Sequence, residues 1–162
     1  PDFVSGPLEH ELNAKPAGSY HITLAFLGER PEAAGVAEAV APACAGRLPL
    51  RLEYRGLGAF HSSRAARVAW VGVRGAGLTE LAQAVRSAAQ SQDRPFVGHV
   101  TLARFRPPRD IRPLLQRYSD CNCGSGTVEF VTLFRSTLQR GGAVHEPLFQ
   151  IDGNGRAEAI TV

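Results

Sequence analysis

Long hydrophobic runs are missing from this chain. Hydrophobic residues make up 44% of its 162 positions, but no uninterrupted apolar stretch approaches the length that crosses a bilayer. No signal-peptide pattern opens the sequence either. These absences argue against a membrane partner and predict a soluble globular protein that works in the cytoplasm.

Cysteine and lysine are also scarce. The three cysteines, Cys44, Cys121 and Cys123, are too few for a disulfide framework, and we expect them to be reduced thiols. Lys15 is the only lysine, so nearly all the positive charge behind the net +3 is arginine. Arginine presents a planar donor fork that suits phosphate, although compositional bias explains most of these residues as well.

One phrase occurs twice, as His-Ile-Thr-Leu-Ala at 21–25 and His-Val-Thr-Leu-Ala at 99–103. Both copies lie in stretches that alternate like strands. Residues two apart in a strand point to the same face. We therefore expect His21 with Thr23, and His99 with Thr101, to project together while the residues between them enter a core.

Structural and metal-binding interpretations compete with catalysis at this repeat. A lone histidine among apolar residues is usually structural, but a whole repeated phrase makes that interpretation weaker. Two histidines could bind zinc, yet a catalytic zinc site needs a third protein ligand, and no His-Glu-x-x-His or Cys-x-x-Cys motif is present. No Gly-x-Ser-x-Gly nucleophile motif occurs either. General acid–base chemistry without a metal is the remaining prediction.

Imidazole suits that chemistry because it changes charge near neutral pH. One histidine can accept a proton while the other donates one. A threonine hydroxyl two residues along can donate a hydrogen bond to a phosphate oxygen. Two imidazoles and two hydroxyls that converge on one point therefore predict a site for a phosphodiester.

Hydrophobic periodicity predicts an α+β fold. From the N-terminus the predicted elements are a strand at 19–27, a helix at 31–41, strands at 48–55 and 68–73, a helix at 78–91, a strand at 96–105, a short helix at 110–118, and strands at 127–139, 144–151 and 159–162. No linker separates independent domains. We expect a single domain over 1–162, built of two similar lobes with the motif strands facing one another.

Four segments resemble the 2H phosphoesterases, and within them the RNA 2′,3′-cyclic phosphodiesterase (2′-5′ RNA ligase, LigT-like) branch. The segments are the first motif at 21–29, a central strand at 67–73, the second motif with its lead-in at 94–105, and a late strand at 134–138. The resemblance implies a bilobal, pseudo-symmetric fold in which two antiparallel sheets face a central cleft, helices lie outside, and each lobe carries one His-x-Thr motif. It further implies a monomeric hydrolase of RNA processing that needs no cofactor or metal and converts 2′,3′-cyclic phosphate ends to 2′-phosphates.

The resemblance also implies roles for single residues. His21 would be the proton donor and His99 the proton acceptor, with Thr23 and Thr101 holding the phosphate. Arg104 matches an arginine that the family uses near the phosphate. Strict alternation puts Arg104 on the face opposite to His99, so a bulge or the strand's end must redirect it; a plain surface arginine is the alternative.

Other functions stay open beside hydrolysis. The reverse chemistry would join tRNA halves through a 2′-5′ linkage. Small cyclic nucleotides are alternative substrates to RNA ends. A protein that binds RNA ends without turnover is a further alternative, although binding needs cations more than a matched acid–base pair.

Overall fold

The computed structural model describes residues 7–13, 20–30, 32–92 and 94–161. Its helices are α1 (Pro7–Leu12), α2 (Ala33–Cys44), α3 (Leu78–Ala88) and α4 (Arg112–Tyr118). Its strands are β1 (Leu50–Phe60), β2 (Ala66–Arg74), β3 (His99–Arg109), β4 (Asn122–Val128), β5 (Val131–Gln139), β6 (Gly142–Ile151) and β7 (Ala157–Ala159). The predicted α+β class is confirmed. None of the helices in these ranges is long and apolar enough to span a bilayer.

The strands form two sheets. One has the order β3-β2-β1-β4 and the other the order β5-β6-β7. The registers of β1 with β2, β2 with β3, β5 with β6 and β6 with β7 are all antiparallel. Two antiparallel sheets were expected, and they are confirmed.

The first compact unit combines residues up to 23 with 51–76 and 97–126. Leu52 and Tyr54 of β1 are buried while Arg51 and Glu53 are exposed, as the alternation in the sequence predicts. The buried face of this sheet continues through Val71 on β2. Burial of such side chains contributes about 25 cal/mol for each Å² of apolar surface removed from water, which holds this sheet to its core.

The second unit combines 24–50, 77–96 and 127–162. Helix α2 contacts α3 and the strands of the second sheet. Both helices bury one stripe at helical spacing, made by Ala37, Val40, Ala41 and Cys44 in α2 and by Leu78, Leu81, Ala82 and Val85 in α3. Burial raises the pKa of the Cys44 thiol to about 11, so it stays a neutral core side chain. All three cysteines are free in the structure.

The segment after the first histidine differs from the prediction of a strand at 19–27. Ile22 forms an isolated antiparallel bridge to Val100, and no further ladder contact follows up to residue 30. Side chains occupy the carbonyls that a neighbouring strand would use: Arg86 donates to the Leu24 oxygen at 2.6 Å, and the Ser91 hydroxyl donates to the Phe26 oxygen at 2.9 Å. The prediction of a long strand is therefore wrong.

The two His-x-Thr phrases lie in the same compact unit, and one motif in each lobe stays a prediction. Residues 21–23 and 99–101 both belong to the first compact unit. The cause is the bridge between Ile22 and Val100, which attaches the first phrase to the sheet beside β3. The chain passes to the second unit only at residue 24.

Candidate active site

The second His-x-Thr phrase begins β3, and its polar side chains share one face of the first sheet. His99 lies opposite Gly72 and Thr101 opposite Trp70 in the register of β2 and β3. Because Gly72 and Trp70 are two residues apart on β2, their partners project from the same face. Val100 points to the other face and is 2% exposed. We call the face that carries His99 and Thr101 the site face.

A β-bulge at Leu102 brings Arg104 to the site face. The register runs from Trp70 opposite Thr101 to the adjacent Ala69 opposite Ala103, so Leu102 is an extra residue in β3. Both Leu102 and Ala103 are buried, at 0% and 2% exposed, which breaks the simple alternation.

Arg104 consequently pairs with Val68, which is two residues from Trp70 and points to the same side of β2. The bulge thus turns Arg104 to the same face as His99, which strict alternation along the strand would not do. Arg104 is exposed on the site face, beyond Thr101 along the strand.

The first phrase adds its residues to the same face. In an antiparallel ladder, the bridge of Ile22 to Val100 sets His21 opposite Thr101 and Thr23 opposite His99. Directly opposite side chains have Cβ atoms about 5 Å apart, and diagonal neighbours lie about 7–8 Å apart. His21 and His99 occupy such a diagonal, which leaves room for one phosphate group between the imidazoles.

The His99 ring has a defined orientation. Its Nδ1 lies 2.7 Å from the backbone oxygen of Val97. A carbonyl oxygen only accepts hydrogen bonds, so Nδ1 must carry the proton and donate it. In the neutral ring, Nε2 then holds the lone pair and can accept a proton.

Phe60 and Trp70 form an aromatic wall beside His99. The Phe60 ring meets the imidazole edge-on, with centroids 4.9 Å apart and planes at 90°, and the Trp70 centroid lies 6.0 Å from that of His99. Trp70 itself lies across Gly58, where an added Cβ would come within 2.3 Å of the indole ring. Gly58 is therefore needed for the wall to pack.

Sequence reasoning missed the aromatic wall. Phe60 lies beyond the predicted end of β1 at residue 55, and Trp70 was assigned only to a buried strand. A signal existed, because Trp70 is the only tryptophan of the chain and aromatic rings commonly pack over a glycine on a neighbouring strand. That signal indicates that the tryptophan ring packs on a neighbouring strand, but it does not indicate that the ring contacts a histidine.

The predicted site residues thus meet on one surface of the first unit. They are His21, Thr23, His99, Thr101 and Arg104. Within the described ranges, no three His, Cys, Asp or Glu side chains are grouped as metal ligands would be. The arrangement offers two imidazoles, two hydroxyls and a guanidinium to a single anionic group.

The chain is similar to known proteins over most of its length. The family model of the 2′-5′ RNA ligase superfamily matches residues 10–138. An RNA 2′,3′-cyclic phosphodiesterase of Aeropyrum pernix is 35% identical over 147 residues, which cover 82% of this chain and 81% of that protein. The crystal structure of TT0787 of Thermus thermophilus superposes with a TM-score of 0.73 at 29% identity, covering 88% of this chain and 82% of the other. Apo LigT of E. coli gives a TM-score of 0.62 at 30% identity, with coverages of 86% and 78%.

Proposed function

We propose, because this chain belongs to the 2′-5′ RNA ligase superfamily, that it is a metal-independent RNA 2′,3′-cyclic phosphodiesterase. The product would be a 2′-phosphomonoester with a free 3′ hydroxyl. The observation that carries the proposal is the diagonal placement of His21 and His99 on one sheet face, each beside a threonine of the other phrase. Relatives named for this activity support it.

In the proposed mechanism His99 is the base and His21 the acid. The Nε2 atom of His99 takes a proton from a water molecule, whose oxygen forms a bond to phosphorus. The bond from phosphorus to the 3′ oxygen breaks, and the His21 imidazolium gives its proton to that oxygen. The hydrogen bond from His99 Nδ1 to the Val97 oxygen supports this assignment, because it leaves Nε2 as the accepting atom.

Thr23, Thr101 and Arg104 would bind the phosphate oxygens. Negative charge on those oxygens grows as water adds, and the two threonine hydroxyls already in place stabilise it without reorganisation. A hydroxyl supplies one neutral hydrogen bond, whereas the Arg104 guanidinium can form two charged ones. The threonines therefore orient the group, and the arginine neutralises it.

Hydrolysis in excess EDTA is the first test. We expect adenosine 2′,3′-cyclic monophosphate and an RNA oligonucleotide with a cyclic end to be opened to 2′-phosphates, with a bell-shaped pH dependence. Full activity of His21→Ala or His99→Ala would refute the two-histidine mechanism. Equal turnover of the two substrates would make small cyclic nucleotides the substrate class.

Ligation is the second candidate, since the matching family is named for RNA ligase activity. A site that opens the cyclic phosphate with water can also accept a 5′ hydroxyl in place of water; its oxygen bonds to phosphorus, the bond to the 3′ oxygen breaks, and a 2′-5′ bond results from the same proton transfers. Incubating one cyclic-ended RNA with and without an acceptor RNA measures both reactions. Tight RNA binding with neither product would indicate a protein that only binds RNA ends.

A further inference from the structure

The exposed polar residues of β1 lie on the site face. Glu53 is opposite Arg74, and Arg55 is opposite Gly72, in the register of β1 and β2. Gly72 is in turn opposite His99. Because opposite residues share a face, the solvated side of β1 and the proposed catalytic residues form one continuous surface.

Distances along this surface are short. Neighbouring strands are about 4.8 Å apart, so Arg55 on β1 is about 10 Å from His99 on β3. Arg74 is two residues beyond Gly72 on β2, a rise of about 7 Å. Gly72 itself presents no side chain between His99 and Arg55.

The three arginines of this region differ in what they contact. Arg55 forms a paired contact with Asp120, at 2.6 and 2.8 Å, which holds the pKa of that carboxyl below its usual range. Arg51 donates to the hydroxyl of Ser125 at 3.2 Å. Arg74 is exposed and has no hydrogen bond or ion pair among the described residues. Arg51 and Arg74, which we call the arginine pair, therefore have no bonded carboxylate, although Arg74 lies close enough to Asp120 to contribute to the lowered pKa of that carboxyl.

The arginine pair lines a surface depression of about 310 Å³. The lining residues are Arg51, Glu53, Arg74, Gly75 and Ala76. Two guanidinium groups and one carboxylate give this lining a positive balance. Guanidinium groups match phosphate oxygens in shape and charge. The other two lining residues, Gly75 and Ala76, add little side-chain bulk.

We propose that the RNA chain on the 5′ side of the reacting end crosses the site face and places backbone phosphates on the arginine pair. The inference rests on the proposed function, because it extends the same substrate away from His21 and His99. Contacts of this kind recognise phosphates and not bases, so they would confer a preference for oligonucleotides over mononucleotides without a sequence preference.

Direct binding tests the proposal without turnover. The probe is a fluorescein-labelled hexa-adenylate with a 3′ hydroxyl, and the readout is fluorescence anisotropy over a series of salt concentrations. Each phosphate contact on a single strand contributes about 0.7 to the slope of log Kd against log salt. We expect Arg51→Gln and Arg74→Gln each to reduce that slope by about 0.7 and to weaken binding about two- to fivefold.

Two further variants provide matched controls. Glu53→Gln removes the carboxylate opposite Arg74 and should tighten binding about two- to fivefold, the reverse of the arginine variants. Arg112→Gln removes one positive charge on α4, where that arginine pairs with Asp110, and should leave binding unchanged. A general effect of net charge would make Arg112→Gln behave like Arg74→Gln, and that result would overturn the proposal.

Turnover separates the proposal from the function on which it rests. Adenosine 2′,3′-cyclic monophosphate lacks upstream phosphates, so its KM and kcat should be the same in the unaltered protein and in both arginine variants. Unchanged oligonucleotide affinity and salt slope in both folded variants would overturn the phosphate path and leave hydrolysis standing. Arginine-dependent binding in a protein that opens no cyclic phosphate would keep the path and refute the proposed function.

Discussion

The two His-x-Thr phrases are nearly identical in sequence and differ in how the fold holds them. The second phrase begins a strand of the four-stranded sheet, its valine is 2% exposed, and its histidine is bonded to Val97 and flanked by the aromatic wall. The first phrase is attached by the isolated bridge of Ile22 to Val100 and by the hydrogen bond from Arg86 to the Leu24 oxygen, and its histidine is exposed. The two histidines thus differ in their settings: His99 begins a strand of the sheet, and His21 is exposed beside an isolated bridge.

This difference has a chemical consequence. A base must present one particular nitrogen to water, and the His99 ring, with Nδ1 bonded to the Val97 oxygen, leaves Nε2 for that role. An acid must reach the leaving oxygen of the substrate, which an exposed side chain such as His21 can do. The asymmetry of the setting supports the assignment of His99 as base and His21 as acid.

The largest expected effect comes from replacing each histidine by asparagine. Loss of a general acid or base typically lowers kcat about 10²- to 10⁴-fold. The base works unprotonated and the acid protonated, so His99→Asn should remove the fall in activity on the acidic side of the pH profile and His21→Asn the fall on the alkaline side. The measurement is the residual rate of each variant across pH.

His10→Asn, at an exposed position on α1, is the control and should keep the full profile. If His99→Asn instead removes the alkaline fall of the pH profile and His21→Asn the acidic fall, the roles of His21 and His99 are exchanged. If one variant keeps wild-type kcat, a single histidine performs the chemistry.

The second-largest effect is expected from replacing the two threonines. Thr23→Val and Thr101→Val keep the shape and remove the hydroxyl donor, and loss of a hydrogen bond to a charged group costs about 1.5–3 kcal/mol. We expect kcat/KM to fall about 10- to 100-fold in each. Because each threonine lies opposite the histidine of the other phrase, similar losses are expected in both variants despite their different settings. A fall in kcat/KM in only one of the two variants would mean that the phosphate contacts that threonine alone.

The sequence predicted most of the architecture because burial repeats with a regular period. The alternation of Leu52 and Tyr54 with Arg51 and Glu53 indicated a half-exposed strand, and the structure has one. Periodicity failed at residues 127–139, where the predicted single strand is β4 ending at Val128 and β5 starting at Val131 in the other sheet. A continuous apolar pattern carries no information on which sheet a residue joins.

The candidate site was predictable in its residue types and less so in its geometry. The repeated phrase identified the histidines and threonines without any structure. The position of Arg104 depended on the extra residue Leu102, and a bulge is decided by pairing with another strand and not by local sequence. The aromatic wall was missed for the same reason, since Phe60 and His99 are distant in sequence and meet only through β2.

Disturbing the aromatic wall should remove the ring packing that distinguishes His99 of the second phrase. In Gly58→Ala the new Cβ would collide with Trp70 at 2.3 Å, and such overpacking costs about 1–3 kcal/mol. We expect urea unfolding at an unchanged m-value with a lower midpoint, together with a lower kcat because the wall no longer confines His99. Gly35→Ala on α2, where an added Cβ would lie 3.7 Å from a carboxylate oxygen of Glu32, is the matched glycine control and should not lower stability. A stable Gly58→Ala protein with unaltered kcat would mean that the wall does not position the histidine.

The smallest effect is expected at the sixth position of the two phrases, which is Phe26 after the first and Arg104 after the second. Arg104 is exposed, so its contact with phosphate is screened by water and worth about 0.2–1 kcal/mol. Arg104→Gln should therefore raise KM about two- to fivefold with kcat nearly unchanged, and Arg104→Lys should restore part of the loss because a lysine keeps the charge but not the fork. Steady-state kinetics on a cyclic-ended oligonucleotide measures both constants. A fall in kcat with constant KM would instead mean that Arg104 contacts charge that develops only in the transition state, and the second phrase would then contribute more than the first to catalysis as well as to binding.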